Sequence, residues 1–313
     1  SLYSIFTVLF IYFTCISTVQ TIDCLHLKDQ CINAANGCQS VWNVIEDACN
    51  ISVLGNRCKA EDTVGCNGII QVLADEYPEF KNCVCTTDNI CSITTLLGNQ
   101  CSANKDNIST ETKLQWSLSA LSKQGKSCLD VNRECVEDEV CNKQLSLYLK
   151  VCSENKCNGE GCQAAIRFFY SNMPFEVAQM MIFCDCIQHD ESCHRAKELL
   201  HGKPCAVTAV PPPSCLNVIH MCEENEFCRK KYTTFRSKCW RHVTKKCYND
   251  EACLETLIRG DMPCSANADC KAAYVSSWGT MLHMECTCQN LPGVEQPLCE
   301  LFHHMLHSKS CFS

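Results

Sequence analysis

Apolar positions along this chain recur three to four residues apart, the spacing that lines one face of a helix. Val41, Trp42, Val44 and Ile45 follow it, as do Ile69, Ile70, Val72 and Leu73. The stretch from Cys141 to Cys152 contains neither Gly nor Pro, and the one from Cys162 to about Asn172 is rich in Ala and aromatics. Pro174 breaks the pattern, and Phe175 to Cys184 resumes it through Val177, Met180, Met181 and Ile182. Much later, Lys271-Ala272-Ala273-Tyr274 echoes Gln163-Ala164-Ala165-Ile166. Long alternating runs of Val, Ile and Thr, which would predict strands, are scarce. The pattern predicts an all-α fold.

Cysteines punctuate these helices in a repeating ladder. Between Cys128 and Cys162 the pattern is C-x6-C-x5-C-x10-C-x4-C-x4-C, followed by Cys184-Asp185-Cys186, Cys193 and Cys205. Upstream, Cys24, Cys31, Cys38 and Cys49 repeat the opening, and Cys83-Val84-Cys85 repeats the C-x-C. Downstream, Cys215, Cys222, Cys228 and Cys239 do the same, with Cys286-Thr287-Cys288. Three copies of one ladder predict three tandem disulfide-rich helical bundles. Module one spans 24–101, module two 128–205 and module three 215–313. Residues 102–127 hold no cysteine and are expected to be a linker, with a helical turn around 113–121. Residues 206–214, with Pro211, Pro212 and Pro213, are a semi-rigid hinge. Cys247 and Cys253 are extra to the repeat and five residues separate them, so they are expected to pair with each other.

Composition sets the compartment. The 313 residues include 33 cysteines, a density typical of disulfide scaffolds in oxidising surroundings. Ile5 to Ile16 is almost wholly apolar and is followed by small and polar residues, as in a signal peptide, expected over residues 1–20. It begins without a Met or basic residues, as a leader shortened at its start would. A membrane anchor is the alternative, but a span needs roughly 20 apolar residues. Setting Cys15 aside leaves an even number of cysteines, so no free thiol is required. Small modules of this kind have thin cores and depend on their bridges, each contributing about 2–4 kcal/mol. Asn50-Ile51-Ser52 and Asn107-Ile108-Ser109 are glycosylation sequons at Asn50 and Asn107.

The net charge of −8 argues against nucleic acid or another polyanion as a partner. One basic run, Arg229 to Lys246, contains no acid; it is either a solvated helix face or a contact for an acidic partner.

Candidate chemistry is thin. The segment Cys186 to Cys193 contains His189-Asp190 and is similar to the His-Asp segment of secreted phospholipase A2. That pattern has adjacent cysteines and a Gly-rich calcium loop, both missing here. Cys184, Cys186, His189, Cys193 and His194 could hold zinc, but cysteines in an oxidising compartment should be bridged instead. His303, His304 and His307 are expected on one exposed helix face. No catalytic constellation, cofactor or metal is expected, so the chain is taken for a binding protein. On a wheel of about 100° per residue, Cys141, Tyr148 and Cys152 define the buried stripe of their helix. Leu145 lies roughly 40° from Cys141, Leu149 roughly 80° and Ser146 roughly 140°. The core could absorb both leucines; alternatively, Leu145, Ser146 and Leu149 form an exposed apolar patch of the kind that marks an interaction site, with Ala209 added from the hinge.

The three ladders, their C-x-C elements, the helix Cys162-Gln163-Ala164-Ala165-Ile166-Arg167-Phe168-Phe169-Tyr170 and the junction Val210-Pro211-Pro212-Pro213-Ser214-Cys215 together resemble the GDNF-family receptor alpha proteins. Ala35-Asn36-Gly37-Cys38, Phe235-Arg236-Ser237-Lys238-Cys239-Trp240 and His304 to Phe312 add to the resemblance, which is strongest to the branch that binds growth differentiation factor 15. It implies a cell-surface co-receptor without catalysis of its own. Module two would bind that dimeric cystine-knot ligand, and module three would engage the RET receptor tyrosine kinase, with Arg241 and Lys245 as candidate contacts. Appetite and body weight would be the processes controlled. Membrane attachment would come through an anchor absent from this chain; a soluble decoy for the same ligand is the alternative. Related receptors carry an arginine where this chain has Leu145, so an apolar ligand surface is expected. The resemblance also implies the bridges. In module two these are Cys128–Cys184, Cys135–Cys141, Cys152–Cys162, Cys157–Cys205 and Cys186–Cys193. In module three they are Cys215–Cys286, Cys222–Cys228, Cys239–Cys270, Cys264–Cys311 and Cys288–Cys299, beside Cys247–Cys253.

Overall fold

A computed structural model describes residues 23–34, 37–49, 52–54, 57–59, 70, 72–81, 83, 126–152, 158–171, 173–202, 204–241, 243, 250, 252–255, 267–308 and 312. Module one supplies α1 (Cys24–Asn33), α2 (Cys38–Cys49) and a 3-10 turn, Pro78–Lys81. It also holds the short antiparallel pair β1 (Ser52–Leu54) and β2 (Arg57–Lys59), with Val53 opposite Cys58. Module two supplies α3 (Cys128–Glu137), α4 (Glu139–Val151), α5 (Gly159–Ser171), α6 (Phe175–Phe183), α7 (Glu191–His201) and the short α8 (Pro204–Val207). Module three supplies α9 (Cys215–Glu224), α10 (Glu226–Cys239), α11 (Ala268–Ser276), the 3-10 turn Met281–His283 and α12 (Gln296–His307). The chain is a tandem array of helical, disulfide-rich modules.

A recurrent device starts these helices. An Asp or Asn three residues before a cysteine caps the helix by accepting that cysteine's backbone N–H. Asp138 does so for Cys141 at 2.8 Å, Asp190 for Cys193 at 2.9 Å, Asn225 for Cys228 at 2.9 Å, Asp250 for Cys253 at 3.1 Å and Asn267 for Cys270 at 2.9 Å. A cap of this kind is worth about 1 kcal/mol. The cap and the bridge therefore fix the same first turn from its backbone and its side chain. Asp138 also ends α3, its own N–H reaching the carbonyl of Glu134 at 3.1 Å, so one residue makes the corner between two helices.

The C-x-C element has an equally local cause. In module two, Cys184 bridges back to Cys128 and Cys186 bridges forward to Cys193. In module three, Cys286 pairs with Cys215 and Cys288 with Cys299. The intervening carbonyls of Asp185 and Thr287 accept from the N–H groups of Cys128 and Cys215, each at 3.2 Å. One three-residue segment thus ties a module's first helix to a late one, α3 to α7 in module two and α9 to α12 in module three. Cys135–Cys141, Cys152–Cys162, Cys222–Cys228, Cys239–Cys270, Cys24–Cys83 and Cys31–Cys38 are also bridged. Cys253 is in a disulfide, while Cys247, Cys157, Cys264 and Cys311 lie outside the described residues.

The cores are not three separate thin ones. Ala164 and Phe168 of α5 are buried in the core of module one, beside Trp42, Ile45 and Leu73. Ala165, Ile166, Phe169 and Tyr170, from the other sides of α5, belong to the core of module two. Val275 and Trp278 of module three complete that same core. A helix apolar all round is a buried helix, and α5 is buried because two modules pack on it. The Pro-rich segment is likewise held against module three. Glu285 donates its N–H to the Val207 carbonyl at 2.6 Å, and Thr287 donates to Pro213 at 2.9 Å.

Candidate binding surfaces

Helix α4 presents the surface expected to meet a ligand. Asp138 caps its start, and the Cys135–Cys141 and Cys152–Cys162 bridges clamp its two ends. Its inward face is Cys141, Gln144, Leu145 and Tyr148, with Tyr148 stacked on Phe169 at 5.9 Å. Leu145 is 3% exposed and packs in the module core, so it does not form part of the outer patch. The physical reason is that α3 and α5 flank α4 on two sides, and the buried arc widens to take Leu145 on one edge and Gln144 on the other. Ser146 is exposed and Leu149 is half-buried against the core. One turn round, Leu147 and Val151 pack onto module one. What remains outward is Asn142, Lys143, Ser146 and Lys150, with Leu149 at the margin and Lys143 paired to Glu139 at 2.9 Å.

Ala209 does not join this face. It is half-buried in the segment that pairs with module three, where Thr208 Oγ1 donates to Glu285 at 3.4 Å. Arg241 is exposed just beyond α10; Lys245, Asn50 and Asn107 lie outside the described residues. The basic run along α10 is largely engaged by groups from outside it. Lys230 pairs with Glu226 at 2.7 Å, Lys238 with Asp269 at 3.0 Å, and Arg229 donates to the Glu223 carbonyl at 3.1 Å.

The His-Asp segment has a structural explanation. Asp190 is the cap of α7, and both His189 and Asp190 are exposed. Asp190→Ala is expected to cost about 1 kcal/mol of stability, as caps do. His189→Ala should change it by less than about 0.5 kcal/mol, and chemical denaturation of both variants checks the pair. The sulfurs that could have served as zinc ligands are bridged, as expected: Cys184 to Cys128 and Cys186 to Cys193. The C-terminal histidines do not share one exposed face. His303 is exposed, but His304 packs edge-on to Trp240 at 5.9 Å, and His307 Nε2 lies 3.4 Å from Cys286 Sγ. The amphipathic turn of α12 rotates these two toward the core.

The three modules meet at a cluster that the sequence patterns do not flag. Arg167 on α5 donates from Nε and from Nη2 to the two carboxylate oxygens of Glu76 in module one, the second bond being 3.0 Å. Its Nη1 donates to the carbonyl of Gly279 in module three, and its guanidinium lies over the Phe227 ring at 5.7 Å. Side-chain exposure is 12% for Arg167 and 6% for Glu76. One arginine therefore ties all three modules.

Residues 128–205 and 215–311 match the GDNF/GAS1 domain family model. A human protein named GDNF family receptor alpha-like is 50% identical over 302 residues, covering 95% of this chain and 76% of its own length. The chain belongs to the GDNF receptor alpha family. The mouse protein of the same alpha-like branch is 46% identical over 304 residues, covering 95% of this chain and 77% of its own. Chicken GDNF family receptor alpha-2 is 26% identical over 197 residues, covering 58% of this chain and 40% of its own. Members of this family are ligand-binding receptors of the co-receptor kind, and the chain is related to the alpha-like branch along nearly its whole length. A chain of a solved growth factor/receptor complex superposes with a TM-score of 0.46 at 20% identity, covering 60% of this chain and 92% of its own.

Proposed function

We propose that this chain is the ligand-binding part of a non-catalytic cell-surface co-receptor. Module two binds growth differentiation factor 15, and module three engages RET, so that the two-fold ligand brings two kinases together in the control of appetite and body weight. The observation that carries this reading is the outer face of α4. Ser146 and Leu149 sit three residues apart on one side of a helix clamped at both ends, and neither bears a charge. Neighbours at that spacing form one contact surface. This uncharged step on a rigid helix, flanked by exposed Lys143 and Lys150, favours an apolar contact at its centre, because a charge buried there would go uncompensated.

Leu149→Glu and Ser146→Arg are each expected to weaken ligand binding more than tenfold, about 1.4 kcal/mol, with the domain still folded. The check is a titration of natively folded protein with growth differentiation factor 15. Normal affinity in both variants would move the site elsewhere on module two. Mixing the chain with ligand and the RET ectodomain should give a three-component particle on a sizing column. Ligand binding without RET would favour the decoy. Reversing Arg241 and Lys245 together is expected to slow RET association and flatten its salt dependence, since rim charges act mainly on association rate.

A further inference from the structure

Beside the Arg167 cluster, the three modules line an open-sided cavity of about 340 Å³. Val72 lines it from module one, Met173 and Phe175 from module two, and Phe227, Lys231 and Trp278 from module three. This volume falls within the range of small-molecule sites, about 300–1,000 Å³. Most charges around it are matched. Arg167 is bound by Glu76, and Asp75 pairs with Lys81 at 2.9 Å. Lys231 is the exception. It is half-buried, its ammonium lies over the Phe227 ring at 5.3 Å, and among the described residues no carboxylate is within ion-pair reach. Burial pushes its pKa down, Asp75 and Glu76 act in the opposite direction, and the Arg167 cation adds to the lowering. The lining is mixed, with Asp75 and Arg167 beside the apolar side chains, and both of these are already paired; a partly desolvated cation there gains from an anion that brings its own apolar body.

We propose that this inter-module cavity binds a medium-chain fatty carboxylate, its head on Lys231 and its chain against Val72, Met173, Phe175 and Trp278. The site is independent of the α4 face and of the co-receptor reading. Because all three modules line it, a ligand there stabilises their joint arrangement by mass action.

The test is calorimetric titration of the full chain with sodium decanoate below its micelle concentration, with thermal unfolding in parallel. Saturable one-to-one binding and a rise in unfolding midpoint are expected. Lys231→Gln should weaken binding by at least about tenfold, the effect of losing a hydrogen bond to a charged group, and Lys231→Arg should retain it. Ala272 lines the cavity from an exposed position on α11, so Ala272→Trp should block binding while the circular dichroism spectrum stays native. The proposal is overturned by an absence of saturable binding, by equal affinity for decanol, or by unchanged affinity in Lys231→Gln or Ala272→Trp.

Discussion

Replacing Arg167 with methionine is expected to destabilise the folded chain by about 3–5 kcal/mol, the usual cost of removing one partner of a buried ion pair. The loss is large because Glu76 cannot recover by hydration: its side chain is 6% exposed, beneath module two. The same substitution also frees the Gly279 carbonyl, which accepts from Arg167 Nη1. Gly279 shows how tightly that contact is built. Its φ is +79°, and a Cβ added there would stand 2.5 Å from Arg167 Cγ and 2.5 Å from the Gln163 carbonyl oxygen. Gly279→Ala therefore combines a left-handed backbone with a clash against α5 and should mimic Arg167→Met from the opposite side. Replacing Arg167 and Glu76 together with methionine should recover much of the loss, since a buried pair exchanged for apolar groups is often neutral. Urea denaturation with bridges intact measures all three variants against the unaltered chain. A loss below about 1 kcal/mol in Arg167→Met would mean that the pair behaves as an exposed one and that apolar contacts alone hold the modules together. The functional consequence is geometric. With the modules locked, the outer face of α4 and the basic face of α10 keep one relation, as the proposed co-receptor role requires.

Much of this was legible in the sequence, and the physics of each element says why. Helices announced themselves because their apolar spacing and their capping residues are local. The [Asp/Asn]-x-x-Cys spacing is in the sequence at every one of the five caps described above, but it also occurs at Asn132–Cys135 inside α3, and at Asp190 it could be mistaken for chemistry through the neighbour His189. The all-round apolar character of Ala164 to Tyr170 was visible too, and it signals a helix shared by two cores rather than one. What was not legible depends on contacts far apart in the chain. Arg167 and Glu76 are 91 residues apart, and no spacing rule joins them. Leu145 was ambiguous on a wheel because its position near the stripe's edge is decided by neighbouring helices, not by α4 itself. The acids that engage the basic run stand at Glu226 and Asp269, just outside the run and on a different helix.

Acidification from about pH 7.4 to about pH 5.5 is expected to lower the folding stability of the chain by about 3 kcal/mol through His283, at the junction of modules two and three, and His307, within module three. His283 stacks on Trp278 at 4.4 Å, meets the edge of Tyr274 at 5.2 Å and has Nε2 2.7 Å from Ser277 Oγ. His201 of module two packs against the same indole, its ring 5.4 Å away. Burial lowers the His283 pKa to about 3, with His307 and His201 adding to the effect. Burial also lowers His307 to about 4, aided by His303, whose ring is 5.2 Å away. The sign follows from the folded values lying below the unfolded one. As pH falls below about 6.5 the unfolded chain takes up protons that the folded chain refuses, so stability declines through the window from about 6.5 down to those folded values. Each group contributes about 1.3 kcal/mol of loss over the stated interval. His283→Gln keeps a side chain able to bond Ser277 but cannot titrate, so its stability should fall by about half as much between the two pH values. Denaturation curves for both proteins at both pH values decide it. Equal losses in His283→Gln and the unaltered chain would place the acid sensitivity elsewhere, while a flatter response in the variant would make the stacked imidazole the group through which an acidified compartment loosens the module two–three junction.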